Sequence, residues 1–367
     1  MIDDVFPGIL LHLPVQSLLR FRAVCKSWRC IIDSPAFRKL HIHTNNCNKS
    51  EDAIFLHARF YNNGVQVQHN GRSLILKETA HFKDVEWPEY DLEEGASFYE
   101  PVKGLICVNY LDYRVPMAIC NPFLGQFKII PALAESDSCS YMITRRSAAV
   151  GFDGDEDYKV VQLLECEIDS GIHAHIYSSK TGAWKELVGD GGMLDDMEFC
   201  RKHSPMKSAC KNGYFAHWCV YGRREGRYGL ERYSLILSFN MRNEEFEIID
   251  CGADYATTQY FSEGEHSFLR FDFHLSFENF VQIYKSSFEG EKLSWNPVMH
   301  VEVTSLETPP QWSNGCALFV VYNDVFVYDY RARKFIGITP RRNIRESKSR
   351  LSNEKFFEHR GSFVSPM

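Results

Sequence analysis

Four short segments of this chain repeat one pattern, and that pattern restricts the fold more than any other feature of the sequence. AICNPFLGQFKII, HIYSSKTGAWKEL, LSFNMRNEEFEII and VYDYRARKFIGI align on the aromatics Phe127, Trp184, Phe246 and Phe335. Six positions before each stands a polar residue: Asn121, Ser178, Asn240 or Asp329. Each copy reads as strand, tight turn, strand. The polar side chain can bond its own backbone and so starts the turn, and the aromatic anchors the returning strand. Trp295, in KLSWNPVMHV, makes a fifth and looser copy. The intervals of 57, 62, 49 and 40 residues average 52, the period of a four-stranded propeller blade. Residues 50–340 hold about 5.6 such periods, so about six blades are expected, with five to seven open.

The rest of that region agrees with an all-β domain. Short apolar runs with strand composition recur at Ile54–Leu56, Ser73–Leu76, Leu105–Val108, Tyr158–Leu164 and Leu235–Phe239, punctuated by Gly, Asn and Asp. Phe319–Tyr322 and Val325–Tyr328 flank Asn323 and the adjoining Asp324, which predicts a hairpin turning on that polar pair. Gly104, Gly213 and Gly315 each precede an apolar run and are expected to open an inner strand. No αβ alternation appears, which argues against a parallel sheet. YGRREGRYGLERY, residues 221–233, interleaves Arg and Tyr and reads as a long loop between two strands of one blade.

The first fifty residues follow a different period. Between Pro14 and Pro35 run Leu18, Leu19 and Phe21, then Val24, Trp28, Ile31 and Ile32, all at helical spacing. Residues 3–12 form a first helix with Asp3 or Asp4 at its N-cap, and two further helical segments reach about residue 41. Gly8 inside the first helix costs about 1 kcal/mol against alanine. The polar run from His43 to Ser50 marks a linker. A unit below about 40 residues rarely makes an adequate core alone, so something else must cover one face.

Charge is unevenly spread. The whole chain carries −7, whereas residues 1–45 carry six basic and three acidic side chains, +3. The negative balance argues against general nucleic-acid binding, and a basic cassette is steered toward an acidic partner. No stretch has the roughly 18 apolar residues of a membrane span, and no secretory leader is legible at Met1–Ile2–Asp3–Asp4. Twelve scattered cysteines without a C-x-x-C pair fit a reducing compartment. Cytoplasm or nucleus is the expected location.

The helical region resembles an F-box, the motif of plant F-box proteins. The resemblance rests on Leu13-Pro14-Val15, Ser17-Leu18-Leu19-Arg20-Phe21-Arg22, Val24-Cys25-Lys26-Ser27-Trp28-Arg29 and Ser34-Pro35-x-Phe37. KGLICV, CNPFLGQFKIIP, AVGFDGDEDYKVV, IYSSKTGAWKEL, ILSFNMRNEEFEII and FFEHRGSFVSP resemble the F-box-associated domain. The resemblance implies an α+β two-domain protein: a three-helix F-box over residues 1–44, then a β-propeller-like, substrate-binding domain over 45–367. It implies docking on the adaptor subunit of a cullin-type ubiquitin ligase through Val5, Ile9, Leu10, Leu13, Pro14, Leu18, Val24, Cys25 and Trp28. It also implies that Phe356–Val364 returns as a strand to help close the ring. Family members usually carry a Leu-Pro pair just before the first helix. Its absence here implies a truncated start or a weakened first contact.

Catalytic motifs are missing from the sequence: there is no G-x-S-x-G, H-E-x-x-H or phosphate loop. Asp153–Asp157 fails the EF-hand frame, which puts Tyr158 and Leu164 where Gly and Glu are needed. Cys200, His203, Cys210, His217 and Cys219 match no common zinc spacing. Residues 84–94, with six carboxylates, and the basic run 341–350 read as solvated segments. The expectation is a non-catalytic substrate receptor of an SCF-type ligase that needs no cofactor or metal and binds an unidentified target protein, but no nucleic acid or membrane. A propeller enzyme and a scaffold acting outside a ligase are the alternatives.

Overall fold

The computed structural model describes residues 5–47 and, apart from a number of connecting loops, residues 54–75, 96–340 and 355–366. The acidic segment 84–94, the basic run 341–350, Gly315, Cys200, His203 and Cys210 lie outside the described residues.

The N-terminal region holds four helices rather than the expected three: α1 (Val5–Leu11), α2 (Val15–Phe21), α3 (Lys26–Asp33) and α4 (Pro35–Cys47). Local chemistry makes the breaks. Pro14 is extended ahead of α2 (φ −57°, ψ 146°). Cys25 is extended and its Sγ accepts from the Trp28 N–H at 3.5 Å, which caps α3. Ser34 is extended too, and its Oγ accepts from the Phe37 N–H at 3.2 Å. Pro35 therefore stands in the first turn of α4, where its missing N–H costs nothing. The expected linker from His43 is helical as far as Cys47, because Ile42 is buried against the β-region and draws the helix onward.

The β-region follows as six antiparallel four-stranded sheets among the described residues. In chain order the strands are β1 (Ile54–Tyr61), β2 (Gly64–His69), β3 (Arg72–Ile75), β4 (Ala96–Phe98), β5 (Ile106–Tyr110), β6 (Met117–Asn121), β7 (Gln126–Ile130) and β8 (Ile143–Phe152). Next come β9 (Tyr158–Cys166), β10 (Ile172–Ser178), β11 (Ala183–Leu187), β12 (Met197–Phe199), β13 (Phe215–Gly226), β14 (Gly229–Asn240), β15 (Glu245–Asp250) and β16 (Thr258–Ser262). The last are β17 (Phe268–Phe273), β18 (Phe280–Glu289), β19 (Lys292–Glu302), β20 (Gln311–Ser313), β21 (Cys316–Val321), β22 (Asp324–Asp329), β23 (Lys334–Pro340) and β24 (Lys355–His359). Five sheets use four consecutive strands, and the sixth has the order β24-β1-β2-β3. The return of the chain after residue 354 thus completes the sheet that opened the region, as expected, although the strand ends at His359 and residues 362–366 run on without strand pairing.

The repeat found in the sequence is a repeat of register. Asn121 pairs with Gln126, Ser178 with Ala183, Asn240 with Glu245 and Asp329 with Lys334. Each aromatic then faces the residue before the polar one: Phe127 faces Cys120, Trp184 Tyr177, Phe246 Phe239 and Phe335 Tyr328. These are the third and fourth strands of four sheets. The Trp295 copy is looser because its hairpin is tighter, pairing Glu289 with Lys292.

Two expectations are corrected and a third holds. The 221–233 stretch is not a loop: all but residues 227 and 228 lie in β13 and β14, whose ladder runs unbroken from Phe215↔Asn240 to Gly226↔Gly229. Asp324 pairs with Val321 on one side and with Pro340 on the other, so it belongs to β22 and not to the turn. Gly104 (φ 80°) and Gly213 (φ 70°) open β5 and β13, inner strands of their sheets as expected, at a left-handed turn that glycine adopts without steric cost.

Candidate adaptor-docking site

The helices share a small core. Leu10, Val15, Leu18, Ile32 and Phe37 are buried together, with Leu13, Leu19, Phe21 and Ile31 partly buried around them. The sixth buried member is Phe363, from the far end of the sequence. Ile42 of α4 joins a different cluster, with Val102, Leu105, Tyr158 and Val364 of the β-region. The covering that the cassette needed is therefore supplied in part by the 362–366 segment, which sits between the two.

Other side chains of the cassette remain in solvent. Ile9 is 54% exposed, Val24 62% and Leu40 52%, the three most exposed large apolar side chains described. Cys25 is exposed as well, while Trp28, Pro14 and Leu13 are half-buried. Trp28 packs on Phe21 with ring centroids 5.1 Å apart. Of the nine residues singled out from the sequence, Leu10 and Leu18 are core, and Val5 lies on α1. Sequence reasoning missed Leu40. Its signal was an apolar residue on a helix expected to end one residue later.

Charge holds the helices in place beneath this face. Asp33, at the end of α3, receives Arg22 Nε at 2.8 Å and Arg38 Nη2 at 2.8 Å, with Arg29 at 3.6 Å. Burial would raise the Asp33 carboxyl, but the hydrogen bonds and charges of Arg22 and Arg38 outweigh it and hold the pKa below the usual range. His41 is fully buried, and its Nε2–H donates to the Leu13 carbonyl at 2.9 Å. Burial lowers its pKa, partly opposed by that bond.

Among the described residues no group of three or more His, Cys, Asp and Glu is placed to hold a metal ion. No described helix is long and apolar enough to cross a membrane.

A helical module with apolar side chains left in solvent is joined through a shared core to a propeller-like body. The F-box domain family matches residues 3–40, and the F-box associated beta propeller domain family matches residues 54–348. The chain belongs to the plant F-box proteins that carry this domain. A putative F-box protein of Arabidopsis thaliana is 25% identical over 247 residues, covering 66% of this chain and 58% of its own. The F-box protein CPR1 of the same plant is 26% identical over 263 residues, covering 67% and 59%. The chain thus spans a little over half the length of these curated relatives. Among solved structures, TolB from Acinetobacter baumannii aligns with 88% of this chain and 72% of its own at 10% identity and a TM-score of 0.44.

Proposed function

We propose that this protein is the substrate-recognition subunit of an SCF-type ubiquitin ligase, with an F-box in residues 1–44 and a six-bladed propeller domain in 45–367. The observation that carries the reading is an F-box whose Ile9 and Val24 stand in solvent among the described residues. Six sheets of four strands, one of them combining β1 with β24, support the ring of six blades. Ile9, Val24 and Cys25, with the accessible parts of Leu13, Pro14 and Trp28, make the adaptor contact. Val5, on α1, is included from the family pattern, and the buried Leu10 and Leu18 support the face from the core. The propeller holds the target, in cytoplasm or nucleus. Transfer is accelerated by nearness, because a tethered target meets the conjugating enzyme at high effective concentration. No residue of this chain does bond chemistry, and it requires no cofactor.

Pull-down of the adaptor by the full chain tests this. Ile9→Asp with Val24→Asp places two charges where apolar contact is needed while leaving the buried core intact, and should reduce capture more than tenfold. Capture that is unchanged, in a variant whose thermal unfolding matches wild type, would sink the reading.

A further inference from the structure

The β13–β14 hairpin is longer than its sheet requires. β12 pairs only with Val220–Gly222, and β15 only with Leu235–Asn240. Beyond Gly222↔Tyr233, the four pairs from Arg223↔Arg232 to Gly226↔Gly229 form a two-stranded ribbon that neither neighbouring strand extends along among the described residues. A ribbon of two strands is marginally stable in water. This one also sets Arg223 opposite Arg232, and like charges directly opposite are destabilising.

What holds its base is Glu198 of β12, nearly buried at 3% exposure. Its carboxylate accepts from Arg223 Nη2 at 3.0 Å and from Arg232 Nη2 at 3.3 Å. The neighbouring residue, Phe199, links a third guanidinium. Arg145 Nη1 of β8 donates to the Phe199 carbonyl at 2.9 Å and lies 3.8 Å from Glu165, which accepts from the Phe199 N–H. Three arginines thus meet two carboxylates where two adjacent sheets abut.

The balance matters because a guanidinium carries about five N–H donors, so one carboxylate leaves much of the capacity of two arginines unused. The Arg232 side chain is 48% exposed, and those of Arg223 and Arg145 are 30% and 33% exposed. Residues 221–233 carry four Arg and two Glu, a local excess of positive charge in a chain of net −7. Planar guanidinium forks suit bidentate capture of carboxylates, and Arg and Tyr are enriched at the energetic centres of interfaces.

We propose that this ribbon and the Arg145–Arg223–Arg232 cluster are the target-recognition surface, and that its occupant is an acidic, carboxylate-bearing segment of the target protein. The inference rests on the receptor reading above and names the chemistry of its target. In that arrangement Glu198 is an internal competitor, occupying the arginines until an acidic segment arrives.

The test is anisotropy titration of the full-length protein with a labelled Glu-rich dodecapeptide and with its Gln counterpart. The acidic peptide alone should bind, more weakly as salt rises. Arg232→Ala should weaken binding roughly tenfold, and Arg232→Lys should restore only part of it. Glu198→Gln removes the competitor and should tighten binding several-fold. A structural role for the three-residue pairing would instead make Glu198→Gln loosen the ribbon without tightening anything. Equal binding of the two peptides, an unaffected Arg232→Ala, or a Glu198→Gln variant with no gain would each overturn the proposal. Adaptor capture by all these variants should equal wild type. A loss of capture in them would count against the receptor reading instead, so the two failures are distinguishable.

Discussion

His41 shows how a residue's environment sets a response of the whole chain. Its ring stacks on Phe37 at 6.0 Å, meets Phe363 edge-on at 5.1 Å and gives its one proton to the Leu13 carbonyl. Arg38 stands nearby, its guanidinium 5.5 Å from the Phe363 ring. Burial disfavours a second proton on His41 and is only partly opposed by the bond to Leu13, which is why its pKa lies below the ordinary value. The folded state therefore excludes a proton that the unfolded chain accepts below about pH 6.5. Stability is full above that pH and falls as the pH drops through it toward the lower folded value. Denaturant unfolding at pH 7.5 and 5.5 should show a larger loss for wild type than for His41→Gln, which keeps a donor for Leu13 but cannot titrate. Asp33 responds at a lower pH with the opposite charge. Its folded pKa is depressed, so its contribution is present above the usual carboxylate range and fades as the pH falls through the folded value. Asp33→Asn should cost about 1 kcal/mol at neutral pH, since the pairs with Arg22 and Arg38 are partly exposed. The effect should shrink when denaturation is repeated at pH 3.

At the scale of elements, the outer hairpins lock neighbouring sheets by a repeated device. Trp184 of β11 donates its Nε1–H at 2.8 Å to the carbonyl of Pro131, just past β7. Trp295 of β19 donates at 3.1 Å to the carbonyl of Cys251, just past β15. Trp218 of β13 reaches back to Ser147 Oγ of β8 at 3.0 Å. Trp184→Phe keeps the ring packed on Tyr177, 5.5 Å away, and loses only the donor, so it should cost about 1 kcal/mol in thermal or denaturant unfolding. Trp184→Ala should cost about 3 kcal/mol, because the packing goes too. The aromatic positions of these hairpins were legible in the sequence because a hairpin is local: polar residue, turn and returning aromatic lie within a dozen positions. The carbonyl each tryptophan finds was not legible, since it belongs to a different sheet and Pro131 carries no sequence signal of that role. The β13–β14 ribbon was misread as a loop for a related reason. Glycine and arginine suit loops by composition, and what makes Gly222 a strand residue is the Tyr233 ring lying across it, where a Cβ would come within 2.7 Å of the ring. Ile9 and Val24 could be singled out from the family pattern, and both stand in solvent, whereas Leu10 and Leu18 are buried in a cluster that includes Phe363, a contact no local pattern announces.

At the scale of the molecule, the segment from Ser362 to Pro366 joins the two modules. Phe363 completes the helical core and Val364 enters the β-region core beside Ile42. Asn121, fully buried, donates to the carbonyls of Ser362 and Val364, both at 2.9 Å. The Tyr158 hydroxyl donates to the Pro366 carbonyl at 2.9 Å, and Ser365 Oγ bonds Gln126 at 3.0 Å. In a receptor that works by nearness, the distance and angle between docking face and target surface set the effective concentration at the transfer step. A flexible joint would spread that geometry over many arrangements. Asn121→Ala takes the donor from one buried and one partly buried carbonyl and should cost about 1–3 kcal/mol. Phe363→Ala should cost about 3–5 kcal/mol, as for other buried aromatics. Hydrogen exchange should locate the damage: faster in α4 and in residues 362–366, unchanged in β13 and β14. Small-angle scattering should show a larger radius of gyration, while capture of the adaptor stays at the wild-type level because Ile9 and Val24 stand in solvent outside the cluster that Phe363 completes. If exchange rises evenly across all six sheets instead, the segment is merely part of the common core and the two modules owe their relative position to α4 alone.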